Sequence, residues 1–250
     1  MPRIPIALQM YSLRHDFTKA PLATMQAVKD MGYEGVEFAG APQYCQEFYA
    51  GLLRQTGLTC CGWHTPWELV QEDKLQKTIE LNRYVGNRRI IIPWLDAKSH
   101  QEWVELAAKM NRLADKLAPY DMRCGYHNHA ADFELLDGRR PWDSFAGNTQ
   151  KNVILQLDTG NAFAGGADPL QTLQQYLGRA ETIHLKPYSK NPEIAFKALI
   201  GEDDTPWAKI LDFCKNEDNT QWAIVEYECP EIPALEAVEK CIAALKKIGC

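Results

Sequence analysis

No apolar run in this sequence approaches the roughly 20 residues that a membrane-spanning helix needs. Blocks of lysine or arginine are also missing, and the formal net charge is −6. That balance argues against a nucleic-acid or anionic-membrane surface, because gripping phosphates takes a basic stripe. Glycine-rich phosphate loops are absent too: neither GxGxxG nor GxxxxGK(S/T) occurs, which disfavours dinucleotide and P-loop binding. With no GxSxG elbow, a serine hydrolase of the α/β type lacks its defining turn. The eight cysteines form no CxxC pair, and Cys60 and Cys61 are adjacent. Such placement reads as free, mostly buried thiols rather than a disulfide framework or a metal knuckle, with the terminal Cys250 open to oxidation. The opening Met1-Pro2-Arg3-Ile4-Pro5-Ile6 runs straight into a strand with no signal-peptide core, so a cytoplasmic location is expected.

What the chain does have is a regular alternation. Its 250 residues are 46% hydrophobic and 24% charged, ordinary for a globular protein and enough for one domain spanning 1–250. Eight short apolar or β-branched runs, at 6–11, 35–38, 58–63, 89–93, 122–127, 153–157, 182–186 and 223–226, read as strands. Helical patterns lie between them. Thr18 is placed to cap the first, with Pro21 in its first turn and Gly32 at its end. Ser99 with Glu102 makes a capping box, and Asp168-Pro169 an N-cap followed by a first-position proline. Eight strand–helix units of about 30 residues each match an α/β fold of the (β/α)8 TIM-barrel type. A doubly wound open sheet is the alternative, and it would want the phosphate turn that is missing.

The run Val153-Ile154-Leu155-Gln156-Leu157-Asp158-Thr159-Gly160-Asn161 organises the rest. It reads as a strand buried on both faces that delivers a carboxylate into a glycine-bearing turn. Asp158 is either a ligand or catalytic acid on rigid backbone, or only the cap of the following turn. Other strands end in the same way, on Glu37, His64, His127, His184 and Glu226. In a parallel barrel these ends share one mouth. Each has a plainer reading: a rim ion pair for Glu37, a turn residue for His64, a hydrogen-bonded core imidazole for His184. Their recurrence at equivalent positions favours a site. Asp158, His184 and Glu226 end three consecutive strands, and imidazole with carboxylate suits Zn²⁺, Mn²⁺, Co²⁺ or Mg²⁺. His127 is the nearest candidate for a fourth ligand. His127 and His129, two apart in an extended segment, face the same side.

These residues carry a resemblance over nearly the whole chain. Gln9-Met10-Tyr11-Ser12-Leu13-Arg14, Gly32-Tyr33-Glu34-Gly35-Val36-Glu37, His64-Thr65-Pro66, Gly125-Tyr126-His127-Asn128-His129, Leu157-Asp158-Thr159-Gly160-Asn161, His184-Leu185-Lys186 and Val225-Glu226 are together similar to the sugar phosphate isomerase/epimerase group of the xylose isomerase-like barrels. The resemblance implies one divalent metal held by Asp158, His184 and Glu226. Many members carry a Glu where this chain has His127, a Glu-Phe pair where it has Asp132-Phe133, and an acid where it has Pro187. The implied chemistry is proton movement next to a carbonyl of a small sugar, keto-sugar or cyclitol, with charge stabilised by the cation. Glu226, His127 and Asp132 are the candidate bases, and Lys186 the neutralising cation. His64, His129, Asn161, Glu37 and Trp63 are expected against the substrate, with Trp67, Trp94 and Phe163 as further wall residues. A lyase or dehydratase acting on a keto-sugar or inosose would begin with the same step. Abasic-site DNA cleavage suits the acidic chain poorly. A metal-free, sugar-binding accessory barrel remains as the non-catalytic alternative. A non-phosphorylated small molecule is the expected partner, and self-association into a homo-oligomer stays open.

Overall fold

Eight parallel strands close on themselves in sequence order, so the sheet has no edge. They are β1 (Ile6–Gln9), β2 (Gly35–Ala39), β3 (Thr59–His64), β4 (Arg89–Ile92), β5 (Arg123–His127), β6 (Ile154–Asp158), β7 (Thr182–Leu185) and β8 (Trp222–Val225). The computed structural model describes residues 3–249; Cys250 and the first two residues of the opening segment lie outside them. The (β/α)8 expectation is met, and every strand falls within two residues of its place in the sequence reading. Among the described residues no helix is long and apolar enough to cross a membrane. Seven described cysteines are free thiols, five of them buried.

The helix starts follow the sequence where a capping side chain dictates them. Ser99 accepts from the Glu102 N–H at 3.2 Å and Asp168 from the Gln171 N–H at 3.0 Å, so helices His100–Leu117 and Pro169–Gln175 start where their caps say. The first unit differs. Thr18 caps nothing; it sits inside a short helix Arg14–Lys19, its hydroxyl donating to the Arg14 carbonyl. A separate helix Pro21–Met31 begins at the proline, because Pro21 cannot supply the N–H that would continue the first.

The barrel interior is filled in layers. Arg89 and Arg123 close the floor by pairing with Glu181, the first at 2.5 Å. Above them Ala7, Cys61 and Ile224 form a small apolar plug, separate from the main core between strands and helices. The next layer is polar: Gln9, Glu37, Gln156 and His184 are all fully buried. A bulge shapes that layer. The β2–β3 register runs Val36↔Cys60, then Glu37↔Gly62, leaving Cys61 without a counterpart. Past the bulge the phase of β3 is reset, so Gly62 faces inward. A Cβ there would stand 2.3 Å from Glu37 Oε1, so the glycine is what lets Glu37 lie across the barrel.

One pH effect arises away from the mouth. Asp218 is 1% exposed and accepts hydrogen bonds from the Gly178 N–H and Thr220 hydroxyl. Burial pushes its carboxyl up to about 6, the hydrogen bonds notwithstanding. Between about pH 4 and 6 the native protein therefore keeps a proton that the unfolded chain has lost, and this residue's contribution to stability falls as pH rises through that window. In denaturant titrations the stability of wild type relative to Asp218→Asn is expected to drop by on the order of 2 kcal/mol between pH 4 and 6.5. A difference that stays level across the window would show that the site is not a proton trap.

Candidate metal centre

The centre is built outward from β6. Gln156 and Asp158 point into the barrel, two residues apart. Asp158 divides its work between its two oxygens. Oδ1 accepts the Asn161 N–H at 2.7 Å and caps the short helix Thr159–Ala164. Oδ2 is buried and has no hydrogen-bond partner. The cap and the ligand, rival readings in the sequence, are thus compatible. The backbone of Asp158 is clamped by Asn128, which accepts from its N–H at 2.8 Å and donates to its carbonyl at 3.3 Å. Gly160 follows because the Lys186 carbonyl passes where a Cβ would stand, at 2.7 Å.

His184, on β7, lies between two carboxylates. Its Nε2 is 2.6 Å from Glu37 Oε2 and its Nδ1 is 2.5 Å from Glu226 Oε2. Glu37 in turn accepts from Gln9 at 2.9 Å and from Gln156 at 3.0 Å. The Gln156 amide nitrogen also donates to the Thr182 hydroxyl at 2.8 Å, which fixes the amide's orientation. Its Oε1 must then be the acceptor that meets His127 Nδ1 at 3.1 Å and His64 Nε2 at 2.7 Å. Both of those nitrogens carry hydrogen. His127 is left with a lone pair on Nε2, which stands 3.8 Å from Asp158 Oδ2. Outer acceptors of this kind are what set ligand tautomers at metal sites.

His127, Asp158, His184 and Glu226 each offer one ligand atom, all within 4.8 Å of one another, and all four residues are buried. Donor types, spacing and the partnerless Asp158 oxygen fit a small divalent cation. A second trio, His64, His127 and His184, is equally close. Using it would cost the hydrogen bonds that Gln156 and Glu37 make to those rings. Charge in the centre is unevenly shared. Burial opposes ionisation of Glu226, but Lys186 and His184 overcome it and hold the carboxyl well below the usual range. Burial pushes Asp158 up to about 7 against the pull of Lys186. His184 is also penalised by burial, yet Glu37 and Glu226 raise it to about 10. His127 stays neutral, lowered by burial and by the neighbouring imidazoles.

Beside this centre, and touching it through Glu226, lies a cavity of about 690 Å³ lined by His129, Asn161, Lys186, Phe196, Glu226 and Glu228 among others. Lys186 donates to Glu226 at 3.3 Å and to Glu228, and these carboxylates with Asp158 keep it charged despite burial. His129 has a buried Nδ1 without a partner, and burial lowers the ring to about 4, so it is neutral. Trp94, 57% exposed, meets it edge-on at 4.8 Å. Asn161 is also among the lining residues.

Three expectations change. Glu37 does not face the mouth: it is fully buried in the layer beneath, with both oxygens engaged, and it holds His184 and His64. Trp63 turns outward past the bulge, donating to the Gly40 carbonyl at 2.9 Å and packing on Phe38 and Tyr49. Asp132 is a cap, its Oδ2 taken by the His129 N–H and the Tyr126 hydroxyl, and it does not line the cavity. Of the other wall residues, Trp67 packs partly buried on the core, and Phe163 lies under the Lys190 ammonium at 5.2 Å. His64 reaches Gln156 and Glu37 rather than open space. Gln9, Gln156, Asn128 and Glu228 went unnoticed in the sequence. A glutamine in the middle of an apolar strand run, as at Gln9 and Gln156, was the available signal.

The family model described as Xylose isomerase-like TIM barrel matches residues 25–248. The chain belongs to this family. An inosose dehydratase of Geobacillus kaustophilus (strain HTA426) is 33% identical over 143 residues, 51% of this chain and 46% of that protein. The chain aligns with about a third to a half of the length of the curated relatives it matches. A sugar phosphate isomerase/epimerase from Parabacteroides distasonis ATCC 8503 superposes with a TM-score of 0.84 at 20% identity, covering 98% of both chains. An L-ribulose 3-epimerase superposes at 0.71 with 15% identity, covering 98% of this chain and 94% of its own. At such identities the two structures speak for the fold this xylose isomerase-like barrel adopts.

Proposed function

We propose that this xylose isomerase-like barrel is a divalent-metal-dependent isomerase or epimerase of a small, non-phosphorylated sugar, keto-sugar or cyclitol. The observation that carries the reading is the buried set His127, Asp158, His184 and Glu226, with a partnerless carboxylate oxygen, joined through Glu226 to a cavity large enough for a monosaccharide. A cation held there would stabilise the negative charge that develops as a proton leaves the carbon beside a carbonyl. The chain's own groups supply the rest. Glu226, ionised and lining the cavity, is the base best placed to take that proton. Lys186 sets a permanent positive charge beside it and can donate to a substrate oxygen. His129, neutral and lining the cavity, is a further hydrogen-bonding group at the rim. Asn161 adds an amide, and Phe196 and Ile194 an apolar side. No arginine lines the cavity among the described residues, so the planar fork that grips phosphate is missing.

Dehydration is the second reading, favoured by the similarity to an inosose dehydratase. It shares the proton abstraction and diverges only when a β-oxygen leaves. The metal-loaded protein incubated in D₂O with inosose and a panel of neutral ketoses separates the two. Solvent deuterium retained in an isomerised product supports the first reading; an unsaturated or deoxy product supports the second. Absence of any bound divalent ion after loading would overturn both.

A further inference from the structure

The geometry points to a borderline, nitrogen-preferring cation of the Zn²⁺ or Co²⁺ type at this centre, with His127 as the residue that sets the preference. This rests on the metal-centre reading above and asks which ion the donor set selects. Two of the four donors are imidazoles and two are carboxylates. Imidazole nitrogen suits zinc, cobalt, nickel and iron, whereas Mg²⁺ takes oxygen almost exclusively and Mn²⁺ is weakest in the divalent series at mixed sites.

The second imidazole is not an accident of proximity. Gln156 is locked by donating to Glu37 Oε1 and Thr182, and its carbonyl holds the His127 Nδ1–H at 3.1 Å. That leaves the Nε2 lone pair aimed at the partnerless oxygen of Asp158, 3.8 Å away. His184 is held in the same manner from the other side, with Glu37 on its Nε2 and the Nδ1 turned to Glu226. A carboxylate in place of His127 would add a negative charge and a hard oxygen. The imidazole withholds both, and that costs hard cations most.

The test uses the metal chlorides alone with the purified full chain. Calorimetric or chelator-competition titrations give the affinity for Zn²⁺, Co²⁺, Mn²⁺ and Mg²⁺, and the visible spectrum of the Co²⁺-loaded protein reports its ligands. Nearly every protein site favours zinc over manganese, so the decisive quantity is the change in ratio. In His127→Glu the Zn²⁺/Mn²⁺ affinity ratio is expected to fall by roughly 10-fold or more, with the Co²⁺ absorption altered. His127→Gln, which removes the nitrogen without adding charge, is expected to weaken Zn²⁺ and Co²⁺ more than Mn²⁺; it serves if the first variant does not fold. An unchanged ratio in a folded variant, or a wild-type protein that holds Mg²⁺ or Mn²⁺ as tightly as Zn²⁺, overturns the inference and leaves the metal-centre reading standing. Failure of every ion to bind overturns both.

Discussion

Asp158→Asn is expected to strip the protein of its divalent ion while leaving the barrel intact. Asparagine keeps an oxygen to accept the Asn161 N–H, so the cap on helix Thr159–Ala164 survives. What disappears is the carboxylate charge and the oxygen that has no hydrogen-bond partner. Altering an outer-shell partner typically costs 10–100-fold in metal affinity, so loss of a ligand should cost about 1,000-fold or more. If the cation contributes several kcal/mol to the rate, turnover falls by on the order of a thousandfold with it. Asp158→Ala loses ion and cap together and should be less stable than the asparagine variant by about 1 kcal/mol. Metal analysis after dialysis, paired with denaturant unfolding of both variants, separates the two jobs. A fully loaded, active Asp158→Asn protein would mean that Asp158 is a cap and nothing more.

That doubling of roles shows why the sequence was legible in some places and opaque in others. The strands were legible because a barrel strand is buried on both faces, and β6 reads as an apolar run, broken only by Gln156, up to its carboxylate. The four-residue cluster was legible because a closed parallel barrel sends all its strand ends to one side. Depth was not legible. Glu37 is the third of five residues in β2 and is sealed beneath the histidines, whereas Glu226 follows the last residue of β8 and borders the cavity. The difference depends on the barrel's shear and on the bulge at Cys61, and neither leaves a local mark. The same bulge rotates Trp63 onto the helix-facing side, against a strict alternation that would turn it inward with Cys61. Asp132 differs for another reason: a carboxylate three residues past a half-buried histidine closes a turn as readily as it faces a ligand.

Glu37→Gln is the most informative change that touches neither cavity nor ligand atoms. Glu37 Oε2 accepts from His184 and Gln9, and Oε1 accepts from Gln156. A glutamine has one oxygen and one NH₂, so one of these donors must meet another donor. The NH₂ group can be accommodated at the Oε1 position only if the Gln156 amide turns over. Its NH₂ would then face His127 Nδ1 and His64 Nε2, which now donate to its carbonyl. His127 would have to move its hydrogen to Nε2, the nitrogen that faces Asp158. A substitution one layer below the centre thereby disables a ligand it never contacts, and it also removes the charge behind His184. Metal affinity is expected to fall by about 100-fold or more, the upper end for an outer-shell change, since two imidazoles are affected. The double variant Glu37→Gln with Gln156→Glu should recover much of that loss. The carboxylate at position 156 accepts from the new amide and from both histidines at once, restoring the original tautomers. Nitrogen-15 shifts of the His127 ring report the tautomer directly, and a metal titration of the four proteins in the cycle gives the coupling. Single variants that bind like wild type, or a double variant no better than the worse single one, would break the proposed relay from Glu37 through Gln156 to His127.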